Sequence, residues 1–514
     1  MSRLRKNAHF SCFLFIFSLS LGYVPDATAQ ARKLETDVVV VGFGGAGVSA
    51  AVSAAESGLK VIALEKQGIA GGSSNFAEGL FGVQTDQTRK NSIIMSPEEA
   101  YRTSMAFNQS YRVNPALVRL YLKESGATIR WLEKHGVSFH VTQISPSEPR
   151  VWHIVEDYGN ASHGAALIKR MVERANELGV TVMYKTPGKK LIYQDGAIKG
   201  VEAEDAAGNN ITITAKAVIL ATGGFQDSKE KVKAWTPFDP EKVQPFAFLN
   251  KTGDGIDMAM SVGADTTDFG LMLHPALTDK GIPLVGDLQG MAWEPNLWVN
   301  KYGNRFIDET VVQSFVIAGN AIEAQRDSFV WSIFDDNTVK YVGEQGARTG
   351  MGVIIPVMKK LINVKKEIDD AIKAGSHKVV MASSPAELAK KIAVDPQRLQ
   401  ASITRYNQIK EKNMDEDFAR NPATVMPITG PTYYALKVQP HYFATIGGLR
   451  ITPAMEVTDK QDNVIKGLYA TGLDAGGLYG RTYTLWASGS AYSFSVTSGR
   501  LSGANAAGYV HALK

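Results

Sequence analysis

The chain has 514 residues, 44% of them hydrophobic, which is ample for a large core shared among two or three lobes. Its formal net charge of +4 is close to balance and excludes the basic footprint of a nucleic-acid binder. The single cysteine, Cys12, lies near the N-terminus, so the rest of the chain has no thiol for a disulfide, an iron–sulfur cluster or a Cys-x-x-Cys-His haem attachment.

In chain order, Arg3, Arg5 and Lys6 make a basic start, and Phe10 to Leu21 form an apolar run too short to span a bilayer. Ala27-Thr28-Ala29 is a small-x-small cleavage pattern. Together they predict a secretory signal over 1–29, a mature chain beginning at Gln30 and a periplasmic protein. Thr36 to Val41 then reads as a buried strand, Gly47 to Ser57 as a small-residue helix and Lys60 to Glu65 as a second strand. This is a βαβ unit. Helical patterns follow at 97–135 and 163–178. Lys190–Gln194, Ile198–Glu204 and Asn210–Thr214 read as a meander turned at Asp195-Gly196 and Gly208-Asn209, leading to the apolar strand Ala217–Leu220. The stretch 269–432 differs in texture, with amphipathic helices at Lys359–Ala374 and Pro385–Ile392. It reads as a lobe inserted into the nucleotide-binding domain, which would comprise 30–268 and 433–514. The chain ends in a helix, Ser498–Tyr509.

Gly42, Gly44 and Gly47 form a Gly-x-Gly-x-x-Gly run between the first strand and the first helix, with Glu65 closing the second strand. In that context the run is a dinucleotide fingerprint. The glycines permit a tight turn and close approach to a pyrophosphate, the helix N-terminus offers N–H groups, and Glu65 can accept from ribose hydroxyls. NAD and FAD share this fingerprint, so the other glycine loops must decide between them. These are Ala221-Thr222-Gly223-Gly224, Thr252-Gly253-Asp254-Gly255 and Gly467 to Asp474, whose acid could bind ribityl hydroxyls.

Together these segments resemble the soluble, exported branch of the fumarate reductase and succinate dehydrogenase flavoproteins, over nearly the whole chain. The resemblance implies an α/β fold, a Rossmann-like FAD-binding domain with an inserted α+β capping domain over the substrate. It implies FAD contacts at Gly42, Gly44, Gly45, Ala46, Gly47, Glu65, Lys66, Gly72, Ser73, Ser74, Gly79, Thr222, Gly223, Gly224, Asp254, Asp474, Ser490 and Ala491. The loop Gly71–Gly79 carries no histidine, so the FAD is expected to be non-covalent. No metal site is expected. With no cluster or haem of its own, the protein would draw electrons from another donor, such as a periplasmic c-type cytochrome.

The family reduces a C=C bond conjugated to a carbonyl, with an arginine as proton donor and His and Arg side chains clamping two carboxylates. Leu273-His274-Pro275 matches one landmark, and its histidine is expected to touch substrate. Val299 to Glu309 matches another closely, with Arg305 and Glu309 as a structural i, i+4 pair. The charged positions do not match. The proton donor falls on Gln313, its relay on Gln289 and Ala292, the paired histidines on Phe443 and Ala444, and the second arginine near Trp486. These losses predict an apolar, aromatic pocket for an α,β-unsaturated carboxylate or enone with at most one carboxylate. Tyr483, Tyr479, His274 and Arg481 are the candidate catalytic residues. Arg481 is near enough in sequence to poise a tyrosine or to bind a carboxylate, while His441 is expected to make local hydrogen bonds. Two other readings remain: an α,β-dehydrogenase resembling the 3-ketosteroid dehydrogenases, and a non-catalytic FAD electron relay.

Overall fold

A computed structural model describes residues 32–107, 110–145, 148–350, 352–483 and 485–513. The expected signal segment and Cys12 lie outside the described residues. Val38–Val41 is buried at every position and pairs in parallel with Val61–Glu65 on one side and Ala217–Leu220 on the other. Thr181–Tyr184 extends the sheet beyond Val61–Glu65, and Val464–Ala470 extends it beyond Ala217–Leu220. Strands buried on both faces carry unbroken apolar runs, which is why these four- and five-residue stretches stand out in the sequence.

Helix Gly45–Glu56 follows the glycine turn and packs against the C-terminal helix Ser490–Ala512. The approach is close: a Cβ on Gly499 would lie 2.2 Å from the Ala46 carbonyl oxygen. The C-terminal helix begins eight residues before its expected start at Ser498, directly after Gly489, whose φ of 84° ends the preceding turn. Its first two turns are rich in Ser, Thr and Tyr and are buried on most sides, so they show no amphipathic period. The meander forms as expected, and both Asp195 and Gly196 take left-handed backbone angles in its hairpin turn.

A second sheet is organised around one long strand, Tyr433–Ile446. Its first half pairs with Val330–Asp335 and Val379–Ala382, and its second half with Gly270–Ala276 and Gln244–Pro245. Tyr434, Leu436 and Val438 belong to the core of the 277–438 region, whereas Tyr442 and Ile446 belong to the core around the dinucleotide sheet. The strand thereby ties the two cores together. Helix Val364–Lys373 is shorter than expected because the Leu361 amide bonds the Val342 carbonyl instead of continuing a helix.

Arg305 and Glu309 form the expected pair, with two hydrogen bonds of 2.9 Å. They belong to a larger buried cluster: Asp415 lies 2.8 Å from Arg305, and Arg420 lies 2.8 Å from Glu309. No described helix is long and apolar enough to cross a membrane.

Candidate active site

The glycine turn, the ends of the first two strands and the loops after Leu220 and Asn250 enclose one cavity. Twelve of the expected FAD contacts line it: Gly42, Gly44, Gly45, Ala46, Glu65, Lys66, Gly72, Ser73, Ser74, Thr222, Gly223 and Asp254. Glu65 is oriented by the chain itself, its carboxylate accepting from the Phe43 amide at 2.9 Å and the Gln67 amide at 2.7 Å. Lys66 pairs with Asp254 at 2.8 Å. Lys251 also lines the cavity, as do Pro187, Gly188 and Leu249. The sequence pattern did not single these out, because it marks loops and not which side chains turn inward.

Six expected contacts lie outside that lining, each for a local reason. A Cβ on Gly47 would fall 1.9 Å from the Gly42 carbonyl oxygen, so this glycine serves the turn. On Gly224 it would fall 1.8 Å from Thr445 Oγ1, and on Gly79 2.3 Å from the His153 carbonyl oxygen. Asp474 is fully buried behind Thr222 and accepts from its hydroxyl at 3.0 Å. Burial, helped by the charge of Asp254, raises its carboxyl to about 7. Ser490 and Ala491 begin the C-terminal helix. There the Ser490 hydroxyl lies 2.8 Å from that of Tyr479, and the Ala491 amide donates to the Tyr483 hydroxyl at 3.1 Å.

The cavity fits a dinucleotide. Gly44 sits at its wall with ordinary backbone angles, and a Cβ there would meet nothing of the protein nearer than 3.5 Å. The protein's own packing does not require a glycine at this position, whereas close approach of a diphosphate to the helix N-terminus does.

A run of aromatic rings leads away from the C-terminal helix. Tyr479 and Tyr483 have centroids 4.9 Å apart, Tyr483 stacks on Phe315 at 6.4 Å, and Phe315 meets Phe443 at 5.7 Å. Phe443 stacks on His274 at 3.8 Å with an 11° interplanar angle. The structure therefore joins three of the four candidate catalytic residues, from segments far apart in sequence. His274 Nδ1 lies 2.9 Å from the Pro275 carbonyl oxygen, an acceptor, so Nδ1 carries the proton and buried Nε2 is left as an unused acceptor. Burial drives its pKa down to about 3, so the ring is neutral at physiological pH. Histidine NMR over pH 5–8 should show no titration of His274; a midpoint near 6.5 would contradict this environment.

Arg481 is placed at the surface: its guanidinium lies 3.5 Å from Asp268, on a side chain 47% exposed. Burial dominates Tyr483 and pushes it up to about 12. Tyr479 is also raised well above the usual tyrosine value, again chiefly by burial. His441 makes a local contact as expected, with Nε2 3.1 Å from the Thr278 hydroxyl.

Gln313 and Trp486, at and near the positions where the family resemblance expects arginines, line one cleft of about 690 Å³. None of the described residues lining it is Arg, Lys or His. Among those described residues the one titratable group is Glu148, whose carboxylate accepts from the Ser488 hydroxyl at 2.7 Å and amide at 3.0 Å, and whose pKa is raised by burial. The sequence offered no signal for Glu148. Gln289 is buried elsewhere, bonded to the backbone of Leu277.

The fold and its glycine-lined cavity define a flavin-dinucleotide oxidoreductase. A family described as "FAD binding domain" matches residues 37–489, and the chain belongs to it, among the fumarate-reductase-like flavoproteins. It is 34% identical to a vinyl phenol reductase of Lactiplantibacillus plantarum, over 92% of this chain and 97% of that one. It is 31% identical to a cytochrome-type fumarate reductase of Shewanella frigidimarina, over 94% of this chain and 79% of that one. A solved 3-ketosteroid Δ1-dehydrogenase from Sterolibacterium denitrificans shares the fold with a TM-score of 0.76 at 20% identity, covering 93% of this chain and all of that one.

Proposed function

We propose that the protein reduces the C=C bond of an α,β-unsaturated carboxylate or enone carrying at most one carboxylate. FAD is held without a covalent bond, since the loop Gly71–Gly79 has no histidine to form one. Electrons come from an external donor, for which a periplasmic c-type cytochrome is the fitting class. The segment 1–29 supports export to that compartment.

The observation that carries this reading is the aromatic run from His274 to Tyr483 where a dicarboxylate enzyme needs a cationic clamp. The relative named vinyl phenol reductase supports an aromatic substrate. Bound and reduced, the flavin supplies the hydride. Gly44, Glu65, Lys66 and Asp254 hold the dinucleotide. Phe443, Phe315 and Trp486 offer apolar faces and exclude water. Neutral His274 accepts a hydrogen bond at Nε2 and so suits a donor group of the substrate. Tyr483 holds the proton for the α-carbon at its hydroxyl. That oxygen accepts from the Ala491 amide, which leaves its own O–H to donate, and burial keeps it protonated at neutral pH.

The test is flavin reoxidation. The flavin is photoreduced under anoxia, and then a vinyl arene, a cinnamate-like acid, acrylate, an enone and fumarate are added in turn. The cinnamate-like acid, acrylate or the enone should reoxidise it at least roughly 100-fold faster than fumarate, about 2.7 kcal/mol for the missing charge contacts, whereas reoxidation by the vinyl arene alone would overturn the conjugated-carbonyl class. Brisk turnover of fumarate would sink the reading. The paired tyrosines also suit the reverse chemistry, an α,β-dehydrogenase of the 3-ketosteroid type. Bleaching of the oxidised flavin by a saturated 3-ketosteroid would favour that direction.

A further inference from the structure

Two lysines line the dinucleotide cavity, and they differ in one respect. Lys66 is neutralised within the protein by Asp254 at 2.8 Å. Lys251 is not: its side chain is 6% exposed, and its Nζ has no hydrogen-bond partner. The carboxylates whose charge Lys251 feels are Asp227 and Asp474; neither contacts its Nζ, and Asp227 Oδ1 is likewise buried without a hydrogen-bond partner. Asp227 Oδ2 accepts from the Leu249 amide at 3.0 Å and the Lys251 amide at 2.7 Å. Asp474 accepts from Thr222. The lysine stem lies along the loop after Leu220, its Cδ 3.0 Å from where a Cβ of Gly223 would stand.

A buried ammonium with no group in hydrogen-bond contact is unfavourable, and a fold that keeps one is suited to a partner from outside. Burial lowers Lys251 to about 8, which leaves it charged at neutral pH. Within FAD the flavin, ribityl, ribose and adenine groups are neutral, and the diphosphate alone carries negative charge. We infer that Lys251 is an anion anchor for the diphosphate of the bound dinucleotide, completing a pocket whose helix N-terminus supplies only partial charge. The inference rests on the reading of the cavity as the FAD site. It identifies Lys251 as a cofactor-positioning residue that the glycine motifs do not mark.

The experiment compares the full-length parent and Lys251→Met after removal of flavin. Binding of FAD is followed by flavin fluorescence, with ADP and adenosine as competitors, and the thermal midpoint of each flavin-free protein is measured. The expected result has two opposite signs. FAD affinity falls about 30-fold or more, the order of one charge-assisted contact. The advantage of ADP over adenosine shrinks by a similar factor, while the flavin-free variant melts at a higher temperature because an unpaired buried charge is gone. A lysine with only a packing role would lower both. Equal weakening of ADP and adenosine, or FAD affinity within about 3-fold of the parent, overturns the inference. If the parent itself takes up no FAD, the reading of the cavity falls and this inference with it.

Discussion

Gly44→Ala should fold like the parent and lose its flavin. Gly44 has ordinary extended backbone angles of φ −76° and ψ −170°, so alanine is not strained there. The nearest protein atom to its new methyl would be 3.5 Å away, an ordinary contact. Only a ligand pressed against the helix N-terminus feels that methyl. Displacing it is expected to weaken FAD binding by about 1–3 kcal/mol, roughly 10- to 100-fold. The flavin-free thermal midpoint should stay within a degree or so, since a surface change without strain is worth about 0.5 kcal/mol or less. Gly47→Ala is the contrast, because its methyl would strike the Gly42 carbonyl at 1.9 Å and the variant should be unstable with or without flavin. A yellow, flavin-saturated Gly44→Ala protein would show that the cavity does not bind its dinucleotide by close backbone approach.

Glu309→Gln should destabilise the protein by about 3–5 kcal/mol. Glu309 is fully buried, accepts from both Arg305 and Arg420, and also from the Trp298 amide. Arg420 is 1% exposed and cannot turn to water when its partner is neutralised. Asp415 still compensates Arg305, so Arg420 bears most of the loss. Denaturant unfolding monitored by tryptophan fluorescence would measure the change. The same segment carries the residues Thr310, Gln313 and Ser314 at the edge of the cleft proposed for the substrate. The variant should therefore also raise KM for whichever substrate reoxidises the flavin. A stability change below about 1 kcal/mol would mean that the cluster is not the brace its burial implies.

The parts legible in the sequence share one property: their signal is carried by neighbours in the chain. Val38–Val41, Gly42 to Gly47 and Glu65 are close together and repeat a pattern that strand, turn and helix each require. The Arg305–Glu309 pair is legible for the same reason, four residues apart in the chain. The misplaced elements follow suit. The first turns of the C-terminal helix are buried on several sides and lack a period, and the segment before Val364 bonds to Val342 across the lobe. Arg481 illustrates the limit for function. It lies two residues from Tyr483, yet its partner is Asp268. Arg481 is half exposed beside Asp268 whereas Tyr483 is buried in the aromatic run, a difference set by the surrounding elements and not by their spacing in the chain.

The amino-acid sequence by itself determined the dinucleotide-binding class and the flavoprotein family, and it supplied the expectation that the charged groups of a dicarboxylate clamp are absent. Each of these is a matter of which residue stands at which spacing. Only the tertiary structure decided that His274, Phe315, Phe443 and Tyr483 form one aromatic run, that Glu148 shares a cleft with Gln313, and that Lys251 is buried without a partner. Burial and charge pairing are set by contacts between segments hundreds of residues apart, and those contacts exist only once the two sheets have packed around the strand Tyr433–Ile446.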